Sequence, residues 1–156
     1  MKKNISVLIL TFNEELHIER CIKSLLPFTK EIFLVDSFST DTTVEIAESI
    51  GTKVYRNKWP GNHAIQFQWG LDNCPIETKW VMKMDADEYI PPELAGEINV
   101  KINTLPENVS GIYIKRRVFF MDRWIKMVDT TLFGCCVFGN MIKEQWSNAG
   151  WTSILS

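Results

Sequence analysis

What this chain lacks narrows its chemistry first. It has 4 cysteines and 2 histidines in 156 residues. Cys21, Cys74, Cys135 and Cys136 show neither zinc spacing nor a redox CxxC pair. They read as reduced cytosolic thiols, with Cys21 on a helix's apolar face. His17 and His63 are isolated and read as surface or helix residues rather than ligands. There is no basic surplus: 17 Lys and Arg against 19 Asp and Glu leave a net charge of −2. That argues against nucleic acid or an anionic membrane as the main partner. No apolar run reaches the roughly 20 residues that span a bilayer. The start, MKKNISVLIL, mimics a secretion signal, but its apolar run breaks at Thr11-Phe12-Asn13-Glu14-Glu15 without a small-residue cleavage site. It reads as a first strand. No internal repeat, low-complexity tract or interdomain linker is present. What remains is 46% hydrophobic and 23% charged, ordinary for a soluble domain with a proper core.

The apolar segments alternate between two periods. Ile5 to Leu10 is a continuous apolar run with one Ser, as in a strand buried on both faces. Asn13 is suited to cap a helix beginning at Glu14. Ile18, Cys21, Ile22 and Leu25 follow helical spacing, and Pro27 ends that element. Ile32 to Val35 is a second buried strand, ending in Asp36. Thr42 and Glu45 form a capping-box pattern. The helix they open carries Ile46, Ala47 and Ile50 inward and stops at Gly51. Lys53 to Arg56 is a short strand, and His63 to Asp72 is helical with Ala64, Phe67 and Leu71 on one face. Lys79 to Asp85 is a fourth strand. Pro91 or Pro92 opens a helix with Leu94, Ile98 and Ile102 inward. Gly111 to Ile114 begins a fifth strand, followed by Arg116 and Arg117. The order β-α-β-α-β-α-β-α-β implies an α/β fold, with a mostly parallel sheet covered on both faces. Such sheets bind ligands beyond the carboxyl ends of their strands.

The polar strand ends fall on that edge: Asn13 and Glu14, Asp36, and Asp85-Ala86-Asp87. Residues i and i+2 of a strand share a face. Asp85 and Asp87 are therefore expected to point to one side if the extended geometry persists. Paired carboxylates repel unless a cation or proton lies between them, and a hard divalent cation carrying a phosphate-bearing ligand fits. A dinucleotide-binding turn needs glycines after the first strand, and this turn has none and two acids. An aspartyl phosphatase also uses DxD after a strand, usually the first; here it is the fourth. A nucleotide-sugar site fits best. Acids at the first two strand ends suit ribose and base, and DxD holds a cation on the diphosphate. Trp59 and Trp69 read as packing residues, and Asp41 as a loop or helix cap. Arg116, Arg117 and Arg123 read as solvated, with Arg116 and Arg117 as the candidates for a phosphate contact.

Three segments carry a family resemblance: Ser6 to Glu15 (SVLILTFNEE), Leu34 to Thr42 (LVDSFSTDT) and Met84 to Glu88 (MDADE). In this order and spacing they resemble the family 2 glycosyltransferases of the GT-A fold. The nearest branch is similar to bacterial enzymes of lipopolysaccharide-core and surface-polysaccharide assembly. The resemblance runs from about residue 5 to about residue 127. It implies an inverting, cytoplasmic transferase, peripheral at the inner face of the membrane. Its partners would be a nucleotide-sugar donor, UDP-linked, and a glycan or lipid-linked acceptor, with Mg²⁺ or Mn²⁺ as cofactor and no nucleic acid. By family roles, Thr11, Asn13 and Glu14 line the nucleotide pocket and Asp36 contacts the base or ribose. Asp85 faces the ribose or donor sugar, and Asp87, helped by Asp85, holds the metal. Glu14 and Asp36 are expected to serve recognition rather than stability. The family's QKN segment appears as Gln66-Phe67-Gln68, with Phe67 in the place of a lysine that meets phosphate.

The tail departs from the family. Residues 1–128 read as the nucleotide-sugar-binding domain and 129–156 as an atypical tail. Thr130 to Phe138 has no clean period, and Glu144, beside Lys143 and Gln145, lies outside any family-like context for a catalytic base. Read one nucleotide out of phase, degenerate codons for Val128 to Leu155 permit GYYPIWLLRFWEYDKGTVEQRWMDEHI. Met141-Ile142 and Trp151-Thr152 each force Asp in that frame. The string has the order of the family's acceptor half, including a WMDEH-like segment with the presumed base. A single-nucleotide frameshift near codons 127–128 is the expectation. The tail should then pack poorly, exposing Phe133, Phe138, Trp146 and Trp151. The chain becomes a donor-binding remnant without transferase activity, the rival to an active enzyme. The coding DNA is expected to carry the shifted string; a shifted frame closed by stop codons or encoding something else contradicts it.

Overall fold

The computed structural model describes residues 3–106, 109, 111–115, 119–120, 123–124 and 134–139. The chain alternates as expected: β1 (Ile5–Thr11), α1 (Ile18–Leu25), β2 (Glu31–Asp36), α2 (Thr43–Ser49), β3 (Lys53–Arg56), α3 (His63–Asn73), β4 (Trp80–Asp85), α4 (Pro92–Thr104) and β5 (Gly111–Lys115). A short hairpin, β6 (Phe119–Phe120) and β7 (Arg123–Trp124), and a strand β8 (Gly134–Gly139) follow. The main sheet runs β3-β2-β1-β4-β8-β5. The first four of these strands are mutually parallel, and β8 lies antiparallel to both β4 and β5.

Strand β1 is central because it is apolar on both faces, and all seven of its residues are buried. Ile5, Val7 and Ile9 join Ile32, Leu34, Trp80, Met82 and Met84 under α1, α2 and α4. Leu8 and Leu10 join Phe33 and Val35 under α3, whose Phe67 and Cys74 close the other face. Each fully buried aliphatic side chain is worth about 1.5–3 kcal/mol, so either face outweighs any single cap or turn. Gly70 lets α3 approach closely: a Cβ there meets Leu8 Cδ2 at 2.6 Å and Val35 Cγ2 at 3.0 Å.

The differences from the expected elements have local causes. Helix α1 starts at Ile18, not Glu14, because Asn13 sits in the left-handed region at φ +53°. Its stripe of Ile18, Cys21, Ile22 and Leu25 is buried as expected. Thr42 makes no capping hydrogen bond to α2; Asp41 and Glu15 occupy its place, as described below. Gly51 does end α2, at φ +88°. Asn62 caps α3, its Oδ1 accepting from Ala64 N at 2.7 Å and Ile65 N at 3.3 Å.

The expectation that the tail 129–156 packs poorly is corrected in part. Residues 134–139 form β8, between β4 and β5 in the main sheet. The reason is visible in the residues: Cys135, Cys136, Val137 and Phe138 form a short apolar run between Gly134 and Gly139, a strand signal by composition. Phe133, Trp146 and Trp151, expected to be exposed, lie outside the described residues, as do Arg116, Arg117, Lys143, Glu144 and Gln145. Nor are the side chains of Arg123 and Phe138 described. Among the described residues, no helix is long and apolar enough to cross a membrane.

Candidate functional site

The register of the parallel strands aligns the polar ends. Thr11 on β1 pairs with Asp36 on β2, and Leu10 pairs with Asp85 on β4. At about 4.8 Å between strands, Asp36 and Asp85 stand about 10 Å apart at the sheet's carboxyl edge.

Two loops are fastened together above that edge. The Asn13 amide donates to Ser39 Oγ at 2.9 Å, and Asn13 Oδ1 accepts from Thr40 N at 2.8 Å. Glu14 N donates to Thr43 Oγ1 at 2.8 Å, and Glu15 N donates to Asp41 Oδ2 at 3.2 Å. Glu15 Oε2 accepts from both Thr42 N, at 3.1 Å, and Thr42 Oγ1, at 2.8 Å. Asp41 Oδ1 accepts from Thr43 N at 3.0 Å and Thr43 Oγ1 at 2.5 Å. So Asp41 is a helix cap, as its type suggested. Asn13, expected to cap a helix, instead clasps the two loops.

Asp36 is fully buried, at 0% exposure. Its carboxylate accepts from Ser39 N at 3.0 Å and Ser39 Oγ at 2.5 Å. A carboxylate offers about four acceptor positions and Ser39 fills two; with Asp36 at 0% exposure, a ligand N–H or hydroxyl reaches the others only when the loop carrying Ser39 moves aside. Below it, Gln66 bridges three segments. It accepts from Asn57 Nδ2 at 2.7 Å and donates to Ser37 Oγ at 3.1 Å and Asn57 O at 3.2 Å. This buried amide was legible only as part of a family motif; its partners lie 9 and 29 residues away. Thr11 is placed beneath the edge, with a buried Oγ1 that has no hydrogen-bond partner. Glu14 is half-buried. Phe38 projects from the β2–α2 loop at φ +64°, with 52% of its surface exposed. A non-glycine residue there costs about 1–2 kcal/mol, and the surrounding clasp holds it.

The acidic turn differs from a continued strand. β4 ends at Asp85, and Ala86 and Asp87 form a turn. Glu88 N donates to Asp85 O at 3.1 Å, and Asp85 N donates to Glu88 Oε2 at 3.0 Å. The alternation that was to put Asp85 and Asp87 on one face therefore stops at Asp85. Asp85 is half-buried and ion-paired with Lys83, Nζ to Oδ1 2.8 Å. Asp87 is exposed. Lys83 was missed in the sequence, although it stands two residues before Asp85 and so shares its face.

Cys21, Cys74, His63 and Trp69 match their bland readings, whereas Trp59, read as a packing residue, is 42% exposed. Cys21 and Cys74 are free, buried thiols. Burial, then the nearby Glu88 and Asp87 carboxylates, push the Cys21 thiol up to about 12. His63 stands edge-on to Trp59, with ring centroids 4.7 Å apart, and Trp69 packs against the α3-side core.

The family model described as "Glycosyl transferase family 2" matches residues 6–146. An uncharacterized glycosyltransferase of Rickettsia bellii is 42% identical over 98 residues, 63% of this chain and 32% of that protein. The lipopolysaccharide core biosynthesis glycosyltransferase LpsC of Rhizobium meliloti is 30% identical over 125 residues, 77% of this chain and 44% of that protein. Among solved structures, Staphylococcus aureus TarS 1–349 in complex with UDP aligns with a TM-score of 0.60 and 27% identity, over 71% of this chain and 35% of that one. Glucosyl-3-phosphoglycerate synthase of Mycobacterium tuberculosis, in complex with Mn²⁺, UDP and phosphoglyceric acid, aligns with a TM-score of 0.53 and 25% identity, over 70% of this chain and 42% of that one. The chain spans about a third of the length of the Rickettsia relative.

The loop clasp makes a titration prediction. Burial acts to raise the Asp41 carboxyl, but the Thr43 hydroxyl and amide and the Glu15 amide hold it below the usual 3.8. A lowered native pKa means that the clasp stabilises the fold fully above the unfolded value and is lost as pH falls through the native one. Carbonyl NMR of Asp41 is expected to titrate below 3.8, and Thr43→Val to move it upward. An unchanged titration in Thr43→Val contradicts the clasp.

Proposed function

The chain belongs to glycosyl transferase family 2, and from that premise we propose that its sheet edge binds a nucleotide-sugar donor, UDP-linked, for transfer to a cell-envelope glycan or lipid-linked acceptor. The observation that carries this is the alignment of Asp36, Thr11 and Asp85 on three adjacent strand ends under clasped loops. The UDP in the TarS and synthase structures and the lipopolysaccharide-core role of LpsC support the choice of donor and acceptor class. Membership in this family sets the phosphatase reading aside.

In this reading Asp36 accepts from the base or ribose, using the acceptor positions that Ser39 leaves open once its loop moves aside. Glu14 lines the same pocket, Thr11 underlies it, and Asn13 shapes it by holding Thr40. Asp85 faces the ribose or donor sugar, oriented by Lys83. Asp87 holds the divalent cation, Mg²⁺ or Mn²⁺. The donor set fits such an ion: Mg²⁺ binds through one or two carboxylates plus substrate phosphates and keeps several waters. An exposed Asp87 beside a lysine-paired Asp85 offers that much. When bound, the cation neutralises charge on the diphosphate leaving group. Transfer is inverting: the acceptor oxygen bonds the anomeric carbon as the sugar–phosphate bond breaks, with the acceptor proton going to a carboxylate base. No described residue takes the base's place. Residues 129–156 are proposed to be a frameshifted tail, in which case the chain as written binds donor and does not transfer sugar. The expected setting is cytoplasmic, at the inner face of the membrane.

Calorimetry is expected to show UDP binding that Mg²⁺ or Mn²⁺ tightens at least about tenfold, 1.4 kcal/mol, with that tightening lost in Asp87→Ala. Equal, metal-independent binding by the wild type and that variant contradicts the proposal.

A further inference from the structure

We propose that Arg20 on α1 is the positioning residue of the acidic turn, holding Asp87 where it meets a divalent cation; this rests on the reading of that turn as the cation site. The turn has little regular structure of its own. Its backbone is instead tied to one face of α1. Arg20 Nη2 donates to the Asp87 carbonyl at 3.3 Å. The Cys21 thiol donates to the Asp85 carbonyl at 3.8 Å. Ser24 Oγ accepts from Ile90 N at 3.0 Å and donates to Cys21 O at 2.7 Å. Residues four apart on a helix are neighbours, so Arg20 and Ser24 grip the turn at Asp87 and just beyond Tyr89.

Arg20 differs from the other two ties. Cys21 is buried, and both it and Ser24 are short; each restrains a backbone group at the helix surface. Arg20 is exposed and reaches 67 residues ahead in sequence. Its guanidinium also lies over the Tyr89 ring, 4.7 Å from the centroid. A planar guanidinium that stacks on a ring while donating sideways fixes both the ring and the carbonyl, which an ammonium does not reproduce. Tyr89 is half-exposed, so this contact lies at the surface rather than in the core. The result is an Asp87 whose backbone is pinned while its carboxylate stays in solvent. Two or three carboxylates gathered in one turn repel. A bound cation relieves that repulsion, and the hydrogen bond from Arg20 limits the conformations that Asp87 must lose on binding one.

The test uses the whole chain and the free-Mn²⁺ signal in electron paramagnetic resonance, which reads cation binding without turnover. Mn²⁺ is titrated with UDP present, and UDP binding is measured separately without metal. Asp87→Ala is expected to abolish Mn²⁺ uptake; if uptake persists, the cation reading of the turn fails and the proposal falls with it. If Asp87→Ala does abolish uptake, Arg20→Ala is expected to raise the Mn²⁺ half-saturation about tenfold and leave metal-free UDP binding unchanged. Arg20→Lys is expected to recover only part of the loss, because an ammonium can donate to the Asp87 carbonyl but does not hold the Tyr89 ring as a guanidinium does. Tyr89→Leu, which removes the ring and leaves Arg20 in place, is expected to give an intermediate rise, and it carries the test should Arg20→Ala fail to fold. An unchanged half-saturation in Arg20→Ala overturns the proposal alone. Equal losses of UDP binding with and without Mn²⁺ make Arg20 a general structural residue and overturn it too.

Discussion

The structure depends on burying β1 from both sides. Its seven residues leave no face for solvent, so the strand is satisfied only between two parallel neighbours and between two helical layers. That constraint sets the register. Once Ser6 pairs with Glu31 and Ile5 with Trp80, the far ends are no longer free to choose their neighbours. Thr11 must stand beside Asp36, and Asp85 must end one step away on the other flank. The polar edge is a consequence of apolar packing. A slip of one residue on β4 sends Trp80, Met82 and Met84 to the wrong layer.

Above that edge the polar groups divide into two kinds of work. Asn13, Glu15, Asp41, Ser39 and Thr43 spend their hydrogen-bonding capacity on one another, joining the β1–α1 and β2–α2 loops. Gln66 does the same beneath them with Asn57 and Ser37. Asp36, Glu14 and Asp87 keep acceptor capacity to spare. The first group accounts for how Phe38 and Asn13 hold left-handed backbones on the surface. The second group is what a ligand can use. The acidic turn follows the same division: its backbone is tied to α1, and Asp87 is left in solvent.

Much of this was legible in the residues. The apolar runs at Ile5 to Leu10 and Ile32 to Val35, the stripe Ile18, Cys21, Ile22 and Leu25, and the stop at Gly51 are local patterns with local causes. Two of the misreadings share one cause, a partner distant in sequence. Asn13 has the composition of an N-cap, but Thr40 claims its side chain from 27 residues away. Thr42 has the spacing of a capping box, but Glu15 takes its hydroxyl and amide. The DxD alternation fails because Glu88 folds back on the Asp85 amide. The strand at Gly134 to Gly139 was missed because Thr130 to Phe138 shows no clean period, although β8 pairs antiparallel with β4 and β5 on either side. The site's location was thus readable from strand ends, while its internal bonding was not.

The central claim is that donor and cation meet at the carboxyl edge of the parallel strands. Amide NMR of the chain on adding UDP, then a trace of Mn²⁺, tests it most directly. The account predicts shifts confined to residues 11–15, 36–41 and 85–89, with paramagnetic broadening centred on Asp87. Shifts at the opposite edge, around residues 29–31, 52–53 and 78–80, with Asp87 unbroadened, contradict it.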